Sequence, residues 1–351
     1  MPPPLVSVVI PARNEEENIG PCVESLRKSA GCAIEIIVVD DESGDRTAEI
    51  VQAVQEKDSR VRLVRLNGLE PGWVGKSHAL FRGVREARGE WLLFTDADTR
   101  HRPRALAECL ALAGERNADL VSLSPEQVCG SFWERLLQPE IFSFLESRFP
   151  FHEINGDIAS CAAANGQYLL IRRSVLEDVG GMEAVRSEIV EDLALARLVK
   201  EKGFRIHFSP GEGRVEARMY RSFRSLWQGW SKNLFALSGG QVARLVRLTG
   251  VRLLLDIAPA GAGLAALAGA LSSPSLGTLV LATASVVFYG GRSFYLKDVW
   301  ARPCAGRGYA LLHPLAAVLF LGLLWYSAYL SRWVGTIGWR GRSYRVGAVD
   351  V

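Results

Sequence analysis

Residues 257–291 are 35 consecutive positions without an Asp, Glu, Lys or Arg, and residues 309–330 are another 22, with His313 as the one side chain that titrates near neutral pH. No other feature restricts the folding of the chain so strongly. Where water is excluded, backbone N–H and C=O groups have to be paired internally, which leaves helices or a closed barrel. About 20 apolar residues cross a bilayer, so the C-terminal third reads as membrane-embedded helices. One helix over the first run would be about 53 Å long, far beyond the hydrocarbon core. The SSPS stretch at 272–275 divides it, and a hairpin of two helices is expected.

The first 250 residues are of a different kind. The overall figures, 48% hydrophobic, 23% charged and net charge +3, average a soluble part and an apolar one. The N-terminus, MPPPLVSVVIPARN, has neither the charged region nor the long apolar region of a signal peptide, and the soluble part is expected to stay in the cytoplasm. None of the six cysteines forms a C-x-x-C pair, so zinc and dithiol redox spacings are absent.

Short apolar runs at 5–10, 34–39, 61–66 and 91–95 alternate with helical patterns at 15–29, 46–57 and 76–87. Such alternation predicts an α/β fold with a mostly parallel sheet covered on both faces. Ligands of these sheets bind beyond the carboxyl ends of the strands. That rule brings residues 11–15, Asp40-Asp41 and Asp96-Ala97-Asp98 to one edge. Farther along, SFWERLLQPEIFSFLESRF at 131–149 reads either as a core helix interrupted at Pro139 or as an interfacial helix dipping Phe132, Trp133, Phe142 and Phe144 into a bilayer. Residues 190–202 and 219–237 read as helices, the second basic and aromatic.

Two carboxylates one residue apart on a strand-end turn, as in Asp96-Ala97-Asp98, can hold a hard divalent cation that keeps waters and substrate phosphates as its other ligands. A nucleotide diphosphate suits such a place, because metal and phosphate neutralise each other.

The ordered set SVVIPARNEEENI, IIVVDDESGDRT, GEWLLFTDADT and EIVEDLALA resembles glycosyltransferase family 2, with its nucleotide-binding GT-A fold. GWVGKSHAL, YRSFRSLWQGWSKN and the terminal WRGRSYR resemble its membrane-bound branch, which includes ceramide glucosyltransferases and carotenoid- or hopanoid-associated glycosyltransferases.

The resemblance implies roles. Pro11, Ala12 and Glu15 would line the nucleoside pocket, and Asp41 would accept the uracil imide N–H of a UDP-sugar in a charge-assisted bond. Asp40 would bind beside it or only order the loop. Lys76 would lie near the phosphates or sugar, Asp96 on the ribose side, and Asp98 on the Mn²⁺ or Mg²⁺ ion. Glu191-Asp192 matches the family's E-D motif, with Glu191 on the donor side and Asp192 as general base. A place in the first turn of a helix would keep Asp192 ionised, ready to take the proton of an attacking acceptor. A single displacement inverts the anomeric carbon.

The chain departs from the family where processive synthases and ceramide glucosyltransferases carry Q/R-x-x-R-W. Here Trp227-Gln228-Gly229-Trp230-Ser231-Lys232-Asn233 retains Gln228 and Trp230, and Lys232 is the candidate cation for the departing diphosphate. Lysine lacks the bidentate fork of arginine, which favours single-sugar transfer over polymer synthesis. Arg221, Arg224 and Lys232 also suit anionic lipid. The small residues of AAANGQ at 162–167 fit a pocket wall, and His101 reads as a surface histidine.

Loop charges put Arg292, Lys297, Arg302 and Arg307 in the cytoplasm. The basic tail favours the same side, which a third segment broken near His313-Pro314 or Gly322 and re-entering the membrane would allow. The expected organisation is a cytoplasmic GT-A catalytic domain over 1–216, an amphipathic interfacial region over 217–250, two to three transmembrane helices over 251–331 and a basic tail over 332–351. Anchoring holds the active site where a lipid head group resides. The expected reaction is therefore transfer of a hexose, glucose first, from UDP to a carotenoid-, hopanoid/sterol- or ceramide-like lipid in the bilayer. Polyprenyl phosphate glycosylation, polysaccharide synthesis and a non-catalytic nucleotide-binding scaffold are the rivals. Nucleic acid is a poor partner at a net charge of +3.

Overall fold

The structure, a computed structural model, describes residues 5–156, 161–301, 306–339 and 342–345. The chain divides into two units. One comprises residues up to 126 and 149–219, the other 127–148 and 220 onwards.

The first unit alternates as expected: β1 (Leu5–Ala12), α1 (Ile19–Arg27), β2 (Ala33–Asp40), α2 (Thr47–Gln55), β3 (Val61–Arg65), α3 (Gly75–Glu86), β4 (Trp91–Phe94), β5 (Thr99–His101), α4 (Ala105–Arg116) and β6 (Leu120–Ser124). After β7 (Glu126–Gln127) and the excursion to the second unit come α6 (Phe151–Ile154), β8 (Leu169–Arg172), α7 (Arg173–Asp178), α8 (Glu191–Glu201), β9 (Ile206–Pro210) and β10 (Val215–Ala217). Seven strands form one sheet in the order β3-β2-β1-β4-β8-β6-β9. All neighbours are parallel except β8, which runs antiparallel to both β4 and β6. The inner strands are near-continuous apolar runs because helices cover both faces. Val6, Val8, Ile10, Ile36, Val38, Leu93 and Val121 form the core of one face with α1 and α4.

Register sets the site. Ala12 stands opposite Asp40 and Val9 opposite Phe94, so β4 stops three residues short of β2, and Asp96, two residues past β4, comes to the same edge as Asp40 at the end of β2. The order turns outward on either side of β1, the place where open α/β sheets bind ligands. On the other face, α3 lies against β1 so closely that a Cβ on Gly83 would come within 2.3 Å of Val9 Cγ1. That approach fixes where Lys76, at the start of α3, can reach. The helical pattern at 15–29 becomes helix only from Ile19, since residues 13–16 are tied to the loop after β2 by hydrogen bonds described below.

The second unit is helical: α5 (Phe132–Arg148), α9 (Phe223–Leu237), α10 (Val242–Arg252), a π-helical turn (Leu253–Ile257), α11 (Ala258–Ser272), α12 (Leu276–Ala301), a 3₁₀ turn (Arg307–Leu312), α13 (His313–Tyr329) and a terminal hairpin of β11 (Thr336–Trp339) and β12 (Arg342–Arg345). The hairpin expected at residues 272–275 is present, with α11 ending at Ser272 and α12 beginning at Leu276. Val242–Ser272, Leu276–Asp298 and Arg307–Val334 are long and apolar enough to cross a membrane. The third begins with the 3₁₀ turn and becomes α-helical at His313-Pro314, where proline fits a first helical turn. Gly322 lies within α13 and does not break it.

α5 runs through Pro139 without interruption. It packs on α9, α12 and α13. Gln138 accepts the Trp230 indole N–H at 3.1 Å, and Phe144 meets Phe320 with ring centroids 5.3 Å apart. A charged ladder is buried in this unit. Glu140 pairs with Arg252 at 2.7 Å, Arg252 with Asp256 at 2.9 Å, and Asp256 with Arg292 at 2.8 Å. Two acids and two bases neutralise one another, which is the condition for keeping charges out of water.

Candidate active site

The acids predicted to share one edge do so, and each is placed by local structure. Pro11 and Ala12 end β1. Asp40 ends β2, and the Asp41 N–H donates to the Ala12 carbonyl at 2.8 Å. Both aspartates are buried. The loop after β1 is laced to the loop after β2. The Asn14 N–H donates to Ser43 Oγ at 2.9 Å, Glu15 N–H to Thr47 Oγ1 at 2.8 Å, Glu16 N–H to Asp45 Oδ2 at 3.0 Å, and Gly44 N–H to Asn14 Oδ1 at 2.8 Å. Asn14 and Glu42 take positive φ in these turns, where asparagine is tolerated through local hydrogen bonding. Arg13 donates to the Asp41 carbonyl oxygen. The S-G-D-R-T sequence after the paired aspartates is thus the lacing of a rigid two-loop wall.

Beyond β4 the residues converge more tightly. Lys76 Nζ lies 2.8 Å from Asp96 Oδ1 and 2.9 Å from Glu191 Oε1. Asp192 Oδ2 accepts the Gly166 N–H at 2.6 Å, and its Oδ1 accepts the Leu193 N–H at 2.8 Å. Glu191 and Asp192 form the first turn of α8. Gln167 Nε2 stands 3.5 Å from Asp98 Oδ1. The turn carrying Gly166 and Gln167 is itself held: Asn165 N–H donates to Ser122 Oγ at 2.8 Å, and Gln167 N–H to Asn165 Oδ1 at 3.0 Å.

Electrostatics follow from this geometry. Loss of water and the adjacent Glu191 push Asp192 up to about 6, against Lys76 and the two N–H donors. The helix terminus alone would have kept this carboxyl acidic, and the crowding of acids outweighs it. For Lys76, desolvation opposes the charge, but Asp96, Glu191 and Asp192 prevail and hold it well above the usual lysine range.

Among the described residues no three His, Cys, Asp or Glu side chains converge as a metal cage. The half-buried Asp98, with Asp96 two residues before it, could hold Mg²⁺ or Mn²⁺, which bind through one or two carboxylates and take other ligands from water and phosphate. The donor set fits such an ion.

Gln228, Trp230 and Lys232 lie on α9 of the second unit. Trp230 is buried there, its ring edge-on to Phe142 at 5.9 Å, whereas Gln228 is exposed and Lys232 half-buried. His101 differs from its sequence reading. It is buried at 6% exposure, because β5 pairs with β10 and turns the imidazole toward Thr95 and Thr99. Nothing in a three-residue strand predicted this. Gly166 and Gln167 were legible as part of a pocket wall, but not their particular partners, Asp192 and Asp98.

A seven-stranded sheet of this order, with acid-bearing loops beyond β1, β2 and β4, is the GT-A type of nucleotide-sugar transferase fold, and this chain is a glycosyltransferase. It carries a glycosyl transferase family 2 domain, whose sequence profile matches residues 7–180. A 4,4'-diaponeurosporenoate glycosyltransferase of Staphylococcus haemolyticus is 28% identical over 65% of this chain, and the match spans 60% of that relative's length. The enzyme of the same name from Staphylococcus aureus is 25% identical over 97% of this chain and 88% of its own. Among solved structures, the mannosyltransferase PcManGT of Pyrobaculum calidifontis, in complex with GDP-Man and Mn²⁺, superposes with a TM-score of 0.52 at 20% identity. That match covers 90% of this chain and 86% of the other.

Proposed function

We propose that this glycosyltransferase moves one hexose, glucose first, from a UDP-sugar to the polar head of a membrane lipid, with inversion at the anomeric carbon. The observation that carries the reading is the convergence of Lys76, Asp96, Glu191 and Asp192, with Asp192 fixed by the Gly166 N–H. Pro11, Ala12, Glu15 and Asp40 form the base-binding wall, and Asp41 accepts the uracil N–H. Asp96 faces the ribose and Lys76 the diphosphate or sugar. Asp192 takes the proton from an acceptor hydroxyl as its oxygen attacks the anomeric carbon and the bond to UDP breaks. Asp98 would hold a Mn²⁺ or Mg²⁺ ion, whose positive charge would let the diphosphate leave unprotonated.

Two observations support a lipid acceptor. Relatives at 25–28% identity are named for a carotenoid carboxylate, and three helices here are long and apolar enough to anchor the enzyme. A soluble acceptor gives no reason for such an anchor. The proposed place is the cell membrane, with the catalytic unit on the cytoplasmic side.

The test is a transfer assay in detergent with Mn²⁺, a panel of labelled UDP- and GDP-sugars and the host lipid extract. Wild type runs beside Asp192→Asn and Asp98→Ala. Label in the organic phase from one donor, lost in Asp98→Ala and, for a hydroxyl acceptor, in Asp192→Asn as well, is the expected result. Label confined to aqueous polymer would overturn single transfer to lipid, and tight UDP binding without transfer would overturn catalysis by this site.

A further inference from the structure

Beneath the Asp96–Asp98 turn lies a polar knot of side chains to which neither the sequence nor the proposed reaction gives a task. Thr95 Oγ1 donates to the Gln167 carbonyl at 2.7 Å, and Thr99 Oγ1 donates to the Asp96 carbonyl at 2.8 Å. His101 Nε2 touches both hydroxyl oxygens, at 3.2 Å and 3.0 Å. All three side chains are buried.

The proton count decides the roles. Each threonine hydroxyl has one proton. The two hydroxyl oxygens also lie 3.0 Å apart, and Cys22 Sγ is 3.6 Å from Thr99 Oγ1, but the carbonyl contacts at 2.7 Å and 2.8 Å are the shortest that each hydroxyl makes. With both protons on the carbonyls, the imidazole is the donor to the two oxygens, the Nε2–H tautomer. The carbonyls so held belong to the two turns that build the site. Asp96 opens the D-x-D turn, and Gln167 follows Gly166, which positions Asp192. We infer that His101 is a positioning residue: as an Nε2–H donor it locks the D-x-D turn to the Gly166–Gln167 turn and so sets the base against the donor-binding acids. The inference deepens the proposed function and rests on it for the catalytic consequence alone. Burial and Arg100 push His101 down to about 3, which keeps the imidazole neutral across the working range.

The test compares His101→Leu, which fills the space without a donor, with His101→Gln, whose amide N–H₂ comes near the position of Nε2. Both are made in the full chain in detergent. The first readout is the ¹⁵N spectrum of the wild-type histidines, where an Nε2–H signature for His101 is expected and an Nδ1–H signature overturns the inference. The second is amide exchange. Leucine should raise exchange at Thr99 and Tyr168 together by about tenfold while glutamine leaves both protected. The third is turnover, where leucine should lower kcat about tenfold or more with little change in KM, and glutamine should restore it to within about threefold. Equal behaviour of the two variants in exchange and turnover would reduce His101 to packing. If wild type transfers no sugar to any lipid, the proposed function fails, and the tautomer and exchange readouts still decide the inference.

Discussion

Gly166 gives its backbone N–H to Asp192 Oδ2 at 2.6 Å from a position that has no room for a side chain. A Cβ there would stand 2.8 Å from Lys76 Nζ, 3.2 Å from Asp192 Oδ2 and 3.4 Å from Glu191 Oε1. Lys76 is the far end of a flexible chain, so it would yield at small cost to the fold and lose its pairing with Glu191. Gly166→Ala should therefore lower kcat by about 10²-fold. The melting temperature should change little, measured in the same detergent preparation.

The acid limb of the pH–rate profile reports Asp192. Its carboxyl is raised to about 6, so kcat/KM for an alcohol acceptor should climb as pH rises through about 6 and then level. Lys76→Met removes the cation that pulls this value down. The limb should then move to higher pH. A limb unmoved in Lys76→Met would separate Lys76 from the base.

Asp192→Asn carries two expectations. A carboxyl with a raised folded pKa favours the fold while protonated, below the ordinary aspartate range, and that contribution is lost as pH rises through about 6. The asparagine amide bears no charge but can accept only one of the two N–H groups, so the expectation concerns the pH dependence: between pH 4 and pH 7.5 wild type should lose roughly 1 kcal/mol or more of stability that the variant keeps. Thermal melts at the two pH values check this.

Activity of the same variant depends on the acceptor. A lipid alcohol has to surrender a proton, and loss of the base should cost about 10²–10⁴-fold. A lipid carboxylic acid is already ionised at neutral pH and needs no base. Asp192→Asn should glycosylate such an acid with far smaller loss. Paired acceptors with one chain, ending in CH₂OH or COOH, make the comparison direct and identify the chemical class of the natural acceptor.

The buried ladder of the second unit predicts an asymmetry. Arg252→Ala strands Glu140 and Asp256, which keep Arg292 alone as a cation. It should destabilise the unit by about 3–5 kcal/mol. Adding Glu140→Gln should recover part of that loss, read from unfolding in detergent. Purely additive effects would mean that the residues do not act as a unit.

The sheet and its loaded edge were legible because strand patterning and strand-end acids are local signals. Asp40-Asp41 and Asp96-Ala97-Asp98 follow apolar runs directly, and α8 begins at Glu191 as its helical pattern suggests. The hairpin at 272–275 was legible for the same reason. What stayed hidden depends on partners distant in sequence. Nothing around Gly166 says that its N–H meets a carboxylate 26 residues on. His101 looks solvent-facing until β10, more than a hundred residues later, pairs with its strand. Pro139 suggested a break, yet α5 continues because helices on several sides supply packing that outweighs one missing hydrogen bond. The upward shift of Asp192 is not visible from helix position, since loss of water and the neighbouring acid have the larger effect.

The placement of α5 has a consequence for how the protein is made. Its buried face, Leu136, Leu137, Ile141 and Phe144, is covered by helices encoded much later, α13 near the far end of the chain among them. During synthesis this surface leaves the ribosome when five of the seven strands of the catalytic sheet have been made and none of its covering helices exists. The nascent chain has to shelter it, on a bilayer or on a chaperone, before the sheet can close.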